Sequence, residues 1–244
     1  MNFINPAHGD LKTLAEKFKN NYANAVPYPS ISFKDFFDKD MLDGVLSEFE
    51  DLDKGATLKY ETPNEIKLAS KGESRFGDKT KQFVHYLNSE PFLEFLQVLT
   101  GIEETLVPDP FFEGGGFHQT KAGGFLKIHA DFNKHKLTKL DRRLNILIYL
   151  NKDWKEEYGG YFEMWDKDRS RKSIALYYYS NGRPSSEVNQ GLEDHTTLFV
   201  ARKGDTIDEQ MVKFNKKQGV KELVKDLTPP MVFRLAKKVM GSEN

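Results

Sequence analysis

The chain reads as a β-rich α+β protein whose strands build a barrel or double-sheet jelly roll behind N-terminal supporting helices. Two observations predict this. Apolar residues recur at helical spacing in the first hundred positions, whereas from residue 105 onward short β-prone runs alternate with glycine-rich turns. Those runs follow one another without the intervening helices that a parallel βαβ sheet requires.

The elements follow in order. Residues 11–18 form a first amphipathic helix. Phe33, Phe36, Phe37, Met41, Leu42, Val45, Leu46 and Phe49 keep one face of a helix or helix pair over 34–52. Residues 90–100 form a further helix, with Ser89 as N-cap, Pro91 in the first turn and Gly101 just past its end. Gly114-Gly115-Gly116 then leads into a strand over 117–120, and Gly123-Gly124 turns into a strand over 125–132. Further strands are expected over 144–150, 161–165 and 173–179. Beyond Asn181-Gly182-Arg183-Pro184 the chain is polar, and Thr228-Pro229-Pro230 opens a C-terminal helix through Val232, Leu235, Ala236 and Val239. The expected organisation is one domain over 1–244: helical support in 1–104, the jelly-roll core in 105–180, and a polar linker with C-terminal helices in 181–244.

Composition narrows the function. Lys+Arg 36 against Asp+Glu 37 leaves a net charge of -1, with no basic block to serve nucleic acid or an anionic membrane. The absence of cysteine excludes disulfides, zinc–thiolate sites and a thiol nucleophile. Nineteen Phe and ten Tyr supply a large aromatic core. The first residues have neither a basic n-region nor an apolar h-region, and no apolar run reaches the roughly 20 residues of a membrane helix. A cytoplasmic protein is therefore expected.

The chemistry concentrates in Gly123-Gly124-Phe125-Leu126-Lys127-Ile128-His129-Ala130-Asp131. On a strand His129 and Asp131 leave the same face, where an imidazole and a carboxylate can grip one metal ion. Alone, such a tripeptide is more often an ordinary strand. Arg171 and Ser173 share a face at the start of a second strand, and a guanidinium with a neighbouring hydroxyl suits a carboxylate ligand. The plain alternative is a charged strand edge. Tyr149 shares a face with Asn145 and Leu147 and is a third candidate, although most strand tyrosines only pack. The triple glycine lacks the Lys-Ser/Thr of a phosphate loop, and no nucleophile elbow occurs.

Taken together, His118-Gln119, the segment 123–133, Arg142-Arg143-Leu144-Asn145 through Tyr149-Leu150-Asn151, Trp154, the run 159–166, and Arg171 through Tyr179 resemble the prolyl 4-hydroxylase-like 2-oxoglutarate/Fe(II) dioxygenases. The tail from His195-Thr196-Thr197-Leu198-Phe199 is similar as well. The resemblance implies a double-stranded β-helix, Fe(II) held by His129 and Asp131, and 2-oxoglutarate held by Arg171, with Tyr149 and Ser173 as further contacts. It implies hydroxylation of a C–H bond, with a prolyl residue of a protein the first substrate to consider, a small molecule the other, and ascorbate a candidate reductant. Neither nucleic acid nor membrane is expected as a partner, and no oligomeric state follows.

The sequence departs from that pattern at one place. Trp165-Asp166-Lys167-Asp168 runs directly into Arg169-Ser170-Arg171, where the family carries another strand and its distal iron-binding histidine; no histidine occurs from Lys136 to Asp194. The expected fold thus lacks or distorts a core strand near 168–171. His118, His135 and His195 remain as imidazole options for a third ligand, and Asp166 or Asp168 as carboxylates. A non-catalytic jelly-roll pseudoenzyme acting as a binding or scaffold protein is the alternative function. A carbohydrate-binding β module is a third.

Overall fold

A computed structural model describes residues 2–26, 28–54, 58–127, 129–155, 171–188, 194–199, 213–214 and 216–217, the side chains of Arg171 and Val188 excepted. The expected strand 161–165, the 168–170 junction and the helix after Thr228 lie outside the described residues.

Helices α1 (Leu11–Ala23), α2 (Lys39–Glu48), α3 (Asp78–Leu87) and α4 (Glu90–Thr100) carry the supporting layer. The helix expected over 34–52 starts later, because Asp38 caps it: its carboxylate accepts the Met41 N–H at 3.0 Å. Phe33, Phe36 and Phe37 therefore precede the helix, and pack edge-on or tilted against Phe18, Phe95 and Phe83. The helix over 90–100 is found as expected, ending at Gly101 in the left-handed conformation with φ 71°. Ser89 does not cap through its side chain; its hydroxyl donates to the Tyr86 carbonyl at 2.6 Å.

Strand structure begins earlier than residue 105. A hairpin of β1 (Leu58–Thr62) and β2 (Glu65–Ala69) joins the main sheet from within the segment expected to be helical. The remaining strands are β3 (Val107–Pro108), β4 (Gly116–Thr120), β5 (Phe125–Leu126), β6 (His129–Ala130), β7 (Asp141–Tyr149), β8 (Arg171–Ser180) and β9 (Leu198–Phe199), and a short helix α5 (Ser185–Val188) follows β8. The strand expected over 125–132 is thus broken in two. β5 pairs with β2, and the Lys127 N–H extends that register by donating to the Asn64 carbonyl at 2.9 Å, whereas β6 pairs with β9.

Among the described residues a seven-stranded antiparallel sheet has β8 at its heart, flanked by β7 on one side and by β4 and β3 on the other. The second sheet is the two-stranded β6·β9. The glycine run before β4 is required by close approach. A side chain at Gly116 (φ 95°) would meet the Ser70 hydroxyl at 2.5 Å, and one at Gly115 would meet the Ala175 carbonyl at 2.8 Å.

Alternation along β8 divides the interior. Ile174, Leu176 and Tyr178 face the helices and join the main core with Phe83, Leu87, Phe92 and Phe117. Ala175, Tyr177 and Tyr179 face the other way, under Phe132, Leu140 and Leu147. Ser173 shares this second face by alternation and pairs with Tyr149, whereas His129 and Asp131 lie on and just past β6. No described helix is long and apolar enough to cross a membrane.

Candidate functional site

His129 and Asp131 come together. Nε2 of His129 lies 3.3 Å from Oδ1 of Asp131, with side chains 20% and 33% exposed. Two cis donors each about 2.1 Å from one ion stand about 3.0 Å apart, so the pair fits two neighbouring positions of a metal centre. The other ring nitrogen, Nδ1, donates to the Lys127 carbonyl at 2.7 Å. That bond sets the tautomer and leaves Nε2 as the donor toward a metal, the arrangement by which outer contacts orient a metal histidine.

Asp131 is oriented from β7. Arg142 donates to its Oδ2 at 2.6 Å, and the Asn145 amide approaches the same oxygen at 3.5 Å. Arg142 and Asn145 are three residues apart and would lie on opposite faces of a regular strand. A register shift between Arg142 and Leu144 inserts Arg143 as an extra residue and turns both toward Asp131. The Arg142 guanidinium lies 3.8 Å from the Tyr177 ring centroid and 4.6 Å from that of Phe132, so it packs against both rings of this edge-on pair. Arg143 goes elsewhere, binding Glu104, Glu187 and the Ser180 hydroxyl.

The electrostatics follow. Burial would raise the Asp131 carboxyl, but the His129 hydrogen bond and the Arg142 charge overcome it and hold the group well below the usual carboxylate range. The His129 imidazole is raised, first by its hydrogen bond to Asp131, against the opposing effect of burial. Asp131 is therefore ionised at neutral pH, and a metal must displace a proton that His129 holds more tightly than usual.

Tyr149, Ser173 and His118 form one row across the sheet, since Ser173 pairs with Tyr149 on β7 and with His118 on β4. Ser173 is fully buried, and its hydroxyl has no hydrogen-bond partner among the described residues. Tyr149 is 45% exposed. Arg171 heads β8 opposite Thr120, its side chain outside the described residues.

The three imidazole options differ. His135 is buried; its Nδ1 accepts the Leu137 and Thr138 N–H groups, which puts the ring proton on Nε2, 3.3 Å from Asp109. This ring is a clasp between two loops and has no nitrogen lone pair left for a metal. His118 donates through Nε2 to the Gly114 carbonyl at 3.1 Å. His195 lies on the segment that runs beside β6. No group of three His, Cys, Asp or Glu side chains converges to hold a metal among the described residues.

Arg142 and Asn145 enter the sequence reading only within the family resemblance and, for Asn145, as a neighbour of Tyr149; their contact with Asp131 is not foreseen there. Their adjacency to Asp131 depends on the bulge, and the doubled arginine is the one local sign of it.

Residues 115–207 match the family model described as the 2OG-Fe(II) oxygenase superfamily. The match supports a member of that superfamily and a dioxygenase type of function using Fe(II) and 2-oxoglutarate. A comparison with curated proteins found no match.

Proposed function

We propose, from the superfamily match over 115–207, that this protein is a 2-oxoglutarate/Fe(II)-dependent dioxygenase that hydroxylates a C–H bond, with a prolyl residue of a protein as its first substrate class. The observation that carries the reading is the His129–Asp131 donor pair, 3.3 Å apart and held from behind by Lys127 and Arg142. Fe(II) and 2-oxoglutarate, when bound, supply the oxidation of a C–H bond by O₂ coupled to conversion of 2-oxoglutarate to succinate and CO₂.

In this reading Nε2 of His129 and Oδ1 of Asp131 hold the metal. The Lys127 carbonyl keeps the His129 ring in its donor tautomer, and Arg142 keeps Asp131 ionised and turned toward it. The row Tyr149–Ser173 with Arg171 holds 2-oxoglutarate: the unsatisfied Ser173 hydroxyl offers a hydrogen bond, and Arg171 the cation for the distal carboxylate. A cytoplasmic location, a reducing setting that suits Fe(II), belongs to the same proposal, as does ascorbate as the reductant.

The second reading is a non-catalytic binding or scaffold protein. What favours it is the convergence of only two ligating side chains among the described residues. Succinate formation decides between them. Purified protein with Fe(II), ascorbate and 2-oxoglutarate is expected to release succinate above a His129→Ala control. Equal release, with no metal-dependent binding of 2-oxoglutarate, sinks the enzymatic reading.

A further inference from the structure

We infer that His195 is the third protein ligand of the metal held by His129 and Asp131, supplied by the strand that pairs with theirs rather than by a strand inserted before Arg171. The inference rests on the metal site proposed above and adds its missing donor.

The β6·β9 ladder brings His195 beside the pair. His129 pairs with Phe199 and Ala130 with Leu198. The same register continues past β6, where the Asn133 N–H donates to the His195 carbonyl at 3.3 Å and the His195 N–H donates to the Asn133 Oδ1 at 2.9 Å. Asp131 therefore stands opposite Thr197, and residues directly opposite share a face. His129, Asp131, Phe199, Thr197 and His195 all belong to one side of this ribbon. His195 is the diagonal neighbour of Asp131, and diagonal Cα atoms roughly 7–8 Å apart remain within reach of long and aromatic side chains.

His129 and His195 also share a ring hydrogen-bonding pattern. All six histidines lie among the described residues. In two of them Nδ1 bonds to a backbone carbonyl: His129 to Lys127 at 2.7 Å and His195 to Thr196 at 2.8 Å. A carbonyl only accepts, so Nδ1 carries a proton in both, and Nε2 is the nitrogen left for a metal, in His129 once it gives up the proton it shares with Asp131. The other four use their nitrogens differently. His8 and His118 donate through Nε2 to the carbonyls of Asp35 and Gly114. Nε2 of His85 meets Glu73, and Nδ1 of His135 is taken by two amides. The two rings whose Nδ1 is held by a backbone carbonyl are thus the two on one ladder. In the structure the His195 ring stays beside Thr196, and binding requires it to swing across the diagonal toward Asp131.

Mn(II) titration of the full chain, followed by loss of the free-ion electron paramagnetic resonance signal, tests this. His195→Ala keeps the backbone bonds to Asn133 that hold the ladder, and His195→Gln serves as a second variant. Since altering even outer partners of a metal ligand costs roughly 10–100-fold in affinity, each variant is expected to weaken Mn(II) binding by about 10-fold or more. The Co(II)-loaded native protein is expected to show two exchangeable, paramagnetically shifted imidazole N–H resonances, and His195→Ala one. If the native protein binds Mn(II) at least about 10-fold more tightly than His129→Ala, yet the His195 variants match it in affinity and resonance count, the assignment of His195 is overturned while the two-residue site stands. If native protein and His129→Ala bind alike, the proposed metal site falls and His195 with it.

Discussion

The two faces of β8 use the same residue types to opposite ends. On the helix side Tyr178 is fully buried, and its hydroxyl donates to the Leu87 carbonyl at 2.9 Å, where it meets the last turn of α3. On the site side Tyr179 is equally buried, 1% exposed, yet its hydroxyl and that of Ser173 find no partner among the described residues. Burial pushes both tyrosine hydroxyls far above their ordinary range. The helix face is built for packing and closes its polar accounts. The site face leaves buried polar atoms open and gathers charge, with Arg142 packed against two rings and bonded to Asp131. Unsatisfied polar atoms cost stability, and they mark the face that was shaped for something other than stability.

That contrast can be broken by substitution. The largest effect is expected on the helix face, where Leu176→Ala removes a side chain 2% exposed and costs about 2–5 kcal/mol in chemical denaturation. A change below about 1 kcal/mol would show that the two faces do not differ in packing. Arg142→Met comes next. Loss of the charged hydrogen bond to a half-buried Asp131 is expected to cost about 2 kcal/mol and to move the acid unfolding midpoint to higher pH. An unchanged acid midpoint would remove Arg142 from the control of Asp131. Tyr178→Phe orphans the Leu87 carbonyl and should cost about 1 kcal/mol, whereas Tyr179→Phe should stay within about 0.5 kcal/mol of the parent. Equal losses would erase the distinction between the faces.

The smallest effect is the pH dependence of the metal-free protein. A raised His129 imidazole stabilises the fold fully below its ordinary unfolded value, and that stability is lost as pH rises through the folded value. A lowered Asp131 behaves in the opposite sense: its contribution is present above its unfolded value and disappears as pH falls through the folded one. Relative to His129→Gln, the parent should therefore lose a small part of its thermal stability on titration from mildly acid to mildly alkaline pH. Mn(II) affinity should rise over the same interval, as His129 gives up its proton. A flat difference in melting temperature would separate His129 from Asp131 in solution.

Much of this was legible in the chain. The helix over 90–100 carried its own proline start and glycine stop, and β7 and β8 announced themselves through runs of branched and aromatic residues. The β1–β2 hairpin carries its own alternation, Leu58-Lys59-Tyr60-Glu61 and Glu65-Ile66-Lys67-Leu68 about Pro63-Asn64, a short and largely exposed signal inside a segment whose longer apolar pattern is helical. The early limit of α2 was set by Asp38, a cap hidden inside a continuous apolar pattern. At the site, sequence spacing alone put His129 and Asp131 on one face, although the strand expected around them is interrupted at Lys127.

Residue types and spacing set the chemistry available: a histidine and carboxylate two residues apart, an arginine–serine strand start, no thiol, and no histidine between Lys136 and Asp194. Tertiary structure decided which groups act together. Arg142 reaches Asp131 only because a bulge changes the parity of β7, and His195 lies beside Asn133 only because β9 pairs with β6 in one register. Spacing along a strand is a local property of the backbone. Parity after a bulge and register between strands distant in sequence are set by long-range pairing, which no short stretch of residues encodes.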